Sequence, residues 1–226
     1  MIVIHGENTI QSRNKLVTIL EQAKEKNTLV ERISASQLDV PLLESKLQRT
    51  DLFGYSRMLV IEELHSLPRS KKLTNLTELL AQTDAEVCLW EKRQLTPTML
   101  IKLKADKVYE FKLANSLFNW LDSLSPHPAT KTKQLQLFQQ AVRENAEYMC
   151  FIMLARQLRL LIQARSGGKI KGPYFVVNKI TQQAQLFSLA QLLSLHQQLY
   201  NLDAKIKTST NNISLTQSIE LIILNL

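Results

Sequence analysis

A chain of 226 residues, 45% apolar and 21% charged, carries enough apolar side chains for a buried core in one large or two small domains. That composition excludes global disorder, and with only 5 Gly and 6 Pro it disfavours a turn-rich all-β fold and favours helices. The net charge of +8 is uneven: residues 1–113 hold 17 Lys and Arg against 15 Asp and Glu, and residues 114–226 hold 11 against 5. A basic second half suits nucleic acid or an acidic partner, or is simply a solvated face.

The longest apolar run, Tyr148–Ala155, ends at Arg156 after eight residues, well short of the roughly 18 a membrane helix needs. The opening MIVIHGEN lacks the basic region and small-residue cleavage site of a signal peptide. Cys88 and Cys150 stand 62 positions apart with no CxxC spacing, which reads as two buried thiols in a reducing compartment. A cytoplasmic location is the expectation.

In chain order, Met1–His5 reads as a short strand, followed by Gly6 and a helix over Ser12–Lys26 with Leu16, Ile19, Leu20 and Ala23 on one stripe. Leu29–Ile33 is a second strand, and Val40–Gln48 a short helix opened by Pro41. Strands over Met58–Ile61, Glu86–Trp90 and Lys107–Phe111 alternate with helices over Leu73–Thr83 and from Thr96 through Lys104. This alternation predicts a parallel sheet with helices on both faces. After Phe111 the strand signals stop. Helices are predicted over Ser116–Leu124, over Lys131–Arg165 with a bend or break near Asn145, and over Tyr174–Gln185, Ser188–Ile206 and Leu215–Leu226. The expected domains are therefore 1–113, α/β, and 114–226, all α.

The chemistry sought is mostly missing. A phosphate-binding loop needs a second Gly and a Lys to approach the phosphates, whereas the stretch after the first strand is Gly6-Glu7-Asn8-Thr9-Ile10-Gln11-Ser12-Arg13. Glu62-Glu63 is placed like the metal-holding end of a Walker B strand, yet without the loop it has no nucleotide to serve, and two acidic residues at a strand end are the plainer reading. His5, His65, His127 and His196 are scattered singly. Neither catalysis by this chain alone nor a cofactor or metal is expected, and a nucleotide-dependent enzyme is disfavoured.

One stretch is odd. In TDLFGYSRMLVIEEL, residues 50–64, Leu52-Phe53 stands in a turn-like run just before a strand. On the residues alone, the pair either caps the domain's own core or is presented to another protein.

Several stretches together resemble the delta subunit of bacterial DNA polymerase III, part of the sliding-clamp loader. They are MIVIHGEN, DLFGYSRMLVIEEL, VCLWEKRQLTPTMLIKL, LARQLRLLIQAR, PYFVVNKITQQAQLFSLAQLLSL, LYNLDAKIKTST and SIELIILNL, in the family's order across most of the chain. The resemblance implies an AAA+-like α/β domain without a functional phosphate loop, followed by an all-α collar domain. It implies that Leu52 and Phe53 enter an apolar pocket of a sliding clamp, with Gln48, Arg49 and Thr50 as a polar rim and Arg57 nearby. It also implies partners: the clamp, ATPase clamp-loader subunits in a hetero-oligomer of the DNA polymerase holoenzyme, and primer-template DNA within that complex, with no membrane. Arg156, Arg159, Arg165, Lys169 and Lys171 are the candidates for DNA or partner contacts.

The sequence departs from the family pattern at one place. Phe111 leads almost directly to SLFNWLDSL, so the small lid domain between the two halves is missing. The main rival is a helical nucleic-acid-binding or scaffolding protein of the same fold that no longer binds the clamp.

Overall fold

The computed structural model describes residues 1–48 and 54–226. The chain divides into two compact units, Met1–Leu113 and Ala114–Leu226.

The first unit is a parallel sheet of five strands, β1 (Ile2–His5), β2 (Leu29–Ser34), β3 (Arg57–Glu62), β4 (Glu86–Glu91) and β5 (Lys107–Glu110), in the order β2-β3-β4-β1-β5. Between them run α1 (Thr9–Glu25), α2 (Val40–Lys46), α3 (Lys71–Gln82) and α4 (Pro97–Leu103). The central strands alternate faces with period two. Val3, Leu59, Ile61, Val87 and Leu89 pack on one side with Leu43, Leu76 and Leu103 from α2, α3 and α4. Ile4, Met58, Val60, Cys88 and Trp90 pack on the other with Leu16, Ile19 and Ala23 of α1. Helices cover both faces, which is why these strands read as nearly continuous apolar runs.

The second unit is all α: α5 (Asn115–Ser123), α6 (Lys131–Asn145), α7 (Glu147–Arg165), α8 (Tyr174–Gln185), α9 (Leu189–Lys207) and α10 (Leu215–Leu224). Its core includes Trp120 against Phe138, ring centroids 4.7 Å apart, with Leu117, Cys150, Leu154, Leu161 and Ile219 buried. Ser188 with Gln191 and Ser214 with Gln217 form capping boxes that fix the starts of α9 and α10.

The architecture is the expected one, a parallel α/β sheet with helices on both faces followed by an all-α region. The boundaries moved for local reasons. Helix α1 begins at Thr9 rather than Ser12, because Asn8 caps it by accepting from the Gln11 N–H at 3.2 Å. Helix α3 begins at Lys71, capped by Ser70. The expected break near Asn145 is real: Ala146 takes φ of 66° between α6 and α7. The Asn145 side chain accepts from the Ala114 N–H at 2.8 Å and donates to the Ala141 carbonyl at 3.1 Å, which fastens the junction from inside. Strand β5 passes to α5 through residues 111–114 alone. Both cysteines are buried without a disulfide, and burial pushes each thiol up to about 12. Among the described residues no helix is long and apolar enough to cross a membrane.

Candidate interaction surfaces

Of the residues expected at the clamp surface, Arg49, Thr50, Leu52 and Phe53 lie outside the described residues; Gln48 and Arg57 flank them. Gln48 follows α2 and is exposed. Gly54 has φ of 83°, and a side chain there would meet nothing within 4 Å, so the described backbone next to the Leu-Phe pair stands in open space. Tyr55 is largely exposed as well.

Arg57 also has a partner within the fold. It opens β3 and donates to Glu31 on β2 at 2.8 Å, while Lys46 at the end of α2 reaches the other carboxylate oxygen. The Lys46 hydrogen bond, with Arg57 beside it, holds the Glu31 carboxyl below the usual carboxylate range. Lys46, Glu31 and Arg57 thus tie the end of α2 and the start of β3 to β2.

The carboxyl ends of the central strands are where ligands enter open α/β sheets. Here that region is filled by the protein's own groups. Gly6 has φ of 130°, and a Cβ on it would lie 2.1 Å from the Phe111 carbonyl oxygen. Its N–H donates to the Arg93 carbonyl at 3.2 Å, and the Asn8 N–H donates to that of Phe111 at 3.0 Å. Arg13, in the second turn of α1, lies 3.4 Å over the Trp90 ring and donates to Glu62 at 2.6 Å. Arg32 reaches the other Glu62 oxygen at 2.6 Å, and the Trp90 Nε1–H donates to Ser12 Oγ at 3.2 Å. Arg13 first, then Arg32, keeps the Glu62 carboxyl low. Glu63 pairs with Lys92 at 2.6 Å. Arginines therefore stand against Glu62 where a bound cation would have to be.

The histidines are less scattered than their sequence positions suggest. His65 donates from its backbone N–H to Glu91 Oε1 at 2.8 Å, and its Nδ1 lies 2.9 Å from the same oxygen. His5 stands opposite Glu91 in the β1–β4 register and accepts the Leu95 N–H on Nδ1 at 3.2 Å. Only sheet register brings these groups together, and no spacing along the chain announces it. Among the described residues no His, Cys, Asp and Glu cluster is arranged to hold a metal ion.

In the helical unit, Arg156, Arg159 and Arg165 are exposed along α7, and Lys169 and Lys171 are exposed in the connection to α8. The unit's five carboxylates are engaged elsewhere: Asp122 with Lys179, Asp203 with Lys207, Glu144 with Ser116, Glu147 with Thr216 and Glu220 with Gln139. The five cations make no ion pair among the described residues. Two aromatics that sequence reasoning passed over follow Lys171 along the chain, Tyr174 at 85% and Phe175 at 72% exposure, and Phe175 shares a groove with Arg156. Their signal is in the sequence, as PYF after a Gly- and Lys-rich loop at the start of a helix.

Fold and surfaces define a class: a parallel α/β unit whose ligand end is closed by its own side chains, joined to a basic helical unit. No protein-family model matches the chain, and no curated protein matches it by sequence. Among solved structures it is similar to the Bacillus subtilis DNA clamp loader delta protein YqeN, at 14% identity over 99% of this chain and 93% of that one, with a TM-score of 0.46. It is also similar to NtrX from Brucella abortus, solved in complex with ATP, at 14% identity over 99% of this chain and 62% of that one, with a TM-score of 0.30.

Proposed function

We propose that this chain is a non-ATPase subunit of a clamp loader, which binds and helps open a DNA sliding clamp during replication in the cytoplasm. The observation that carries this reading is the Arg13–Glu62 contact at the ligand end of the sheet, within a fold of the loader kind. A subunit that works mechanically can fill that place with its own arginine, whereas an ATPase has to keep it open. The motif resemblance supplies the rest. Leu52 and Phe53 would anchor in an apolar clamp pocket, since aliphatic and aromatic groups dominate small desolvated interfaces. Binding that is tighter to a sprung clamp than to a closed one stabilises the open ring by that difference. The helical unit would join ATPase partners, and Arg156, Arg159, Arg165, Lys169 and Lys171 would lie toward acidic neighbours or the phosphates of primer-template DNA.

The test is co-elution of the purified chain with the sliding clamp of its own organism on gel filtration. A joint peak supports the reading, and separate peaks at micromolar concentrations oppose it.

A second reading, a nucleic-acid-binding or scaffolding protein of this fold that has lost the clamp, is favoured by exposed Arg165, Lys169 and Lys171 in the stretch of chain that leads to the exposed Tyr174. Tight DNA binding in the absence of any clamp binding would select it.

A further inference from the structure

A shallow apolar groove of about 280 Å³ lies between α5, α7 and α8. Leu121, Met153 and Ile180 form its buried floor, and Phe118, Phe175 and Val176 its walls. Phe118 is 40% exposed, and Phe175 more so, although each borders a concavity lined with carbon. Large apolar side chains left in water around an apolar floor mark a place where another molecule's side chains can bury.

Charge selects the occupant. The one carboxylate at the groove, Asp122, is held by Lys179. Arg156 lines the groove, Arg159 follows three residues along α7, and neither meets a carboxylate among the described residues. A second copy of the chain would bring another basic unit, 11 Lys and Arg against 5 Asp and Glu, to the same face, where like charges repel. Duplex nucleic acid would satisfy the arginines but leave the floor wet. A peptide with apolar side chains and carboxylates together satisfies both, and an Arg–carboxylate pair at the edge of a desolvated groove adds directional hydrogen bonds.

We propose that the α5–α7–α8 groove docks an acidic amphipathic segment of a partner protein, its apolar side chains seated between Phe118 and Phe175 and a carboxylate on Arg156. The clamp-binding reading concerns residues 48–57 of the other unit, so either claim can fail without the other.

The test starts from a random peptide display library selected on the full chain. A selected peptide, synthesised with a fluorophore, is titrated by anisotropy into the parent, Arg156→Glu and Phe175→Ala. Both positions are exposed, so the variants should fold, and circular dichroism checks this. The expected consensus is rich in Asp and Glu, with Leu, Ile or Phe at helical spacing, and each variant weakens binding by about tenfold or more. Failure to enrich any sequence, a consensus without acidic residues, or equal binding by Phe175→Ala would overturn the proposal. A single-stranded oligothymidylate that binds the parent and loses affinity in both variants would assign the groove to nucleic acid instead. A dimer in sedimentation that Phe175→Ala dissolves would assign it to a second copy.

Discussion

Arg13 and Glu62 meet at 2.6 Å across 49 residues of sequence, one from the start of α1 and the other from the end of β3. The pair ties helix to sheet at the end where related architectures receive ligands, and Trp90 beneath the guanidinium gives it a second partner. Replacing Arg13 by Ala should therefore destabilise the α/β unit by about 1–2 kcal/mol, with Arg32 retaining part of the Glu62 interaction. Urea unfolding measures this. An unchanged midpoint would reduce the contact to a surface pair.

Gly6→Ala should be more damaging. The backbone sits at φ of 130°, and the new methyl would fall 2.1 Å from the Phe111 carbonyl oxygen, so both strain and collision oppose it. A loss of about 3 kcal/mol or more is expected in the same assay. The same substitution at Gly54, with φ of 83° but open space around it, should cost only the backbone strain, about 1–2 kcal/mol.

Stability should fall with acid in two stages. Burial lowers the His5 pKa, and its neutral Nδ1 accepts the Leu95 N–H, a bond that protonation destroys. The unfolded chain takes up that proton first, so stability declines as pH drops below about 6.5. Glu31 and Glu62 are depressed, so their contribution is complete above the ordinary carboxylate range and is lost as pH falls through their lower folded values. Unfolding midpoints from pH 8 to pH 3 would trace both stages. His5→Gln should remove the upper stage alone, and an unaltered curve would contradict the assignment.

Arg165→Ala/Lys169→Ala/Lys171→Ala should weaken binding to a primer-template duplex. If each contacts a phosphate, the slope of log affinity against log salt should become shallower by roughly 0.9 per residue. An unchanged slope would place these cations against protein or solvent.

The sequence made the elements legible where one face or both were buried. The alternating Val3, Leu59, Ile61 and Ile4, Met58, Val60 sets are visible as apolar runs, and the polar break at Asn145 marks the α6–α7 junction. The starts of α1 and α3 lie ahead of the sequence reading, because Asn8 and Ser70 cap before the first apolar residue that periodicity can detect. Strand order, and with it the convergence of His5, His65 and Glu91, was not legible, since register is fixed by packing between distant segments. The partner of Arg57, Glu31, lies on the neighbouring strand and comes into view only once β2 and β3 are paired.

The central claim turns on Leu52 and Phe53. Calorimetric titration of the sliding clamp from the same organism into the parent chain and into a Leu52→Ala/Phe53→Ala variant, its fold checked by circular dichroism, tests it most directly. The account predicts binding by the parent and a loss of about 2–4 kcal/mol, tens- to hundreds-fold or more, in the variant. A parent that does not bind, or a variant that binds equally well, would contradict it.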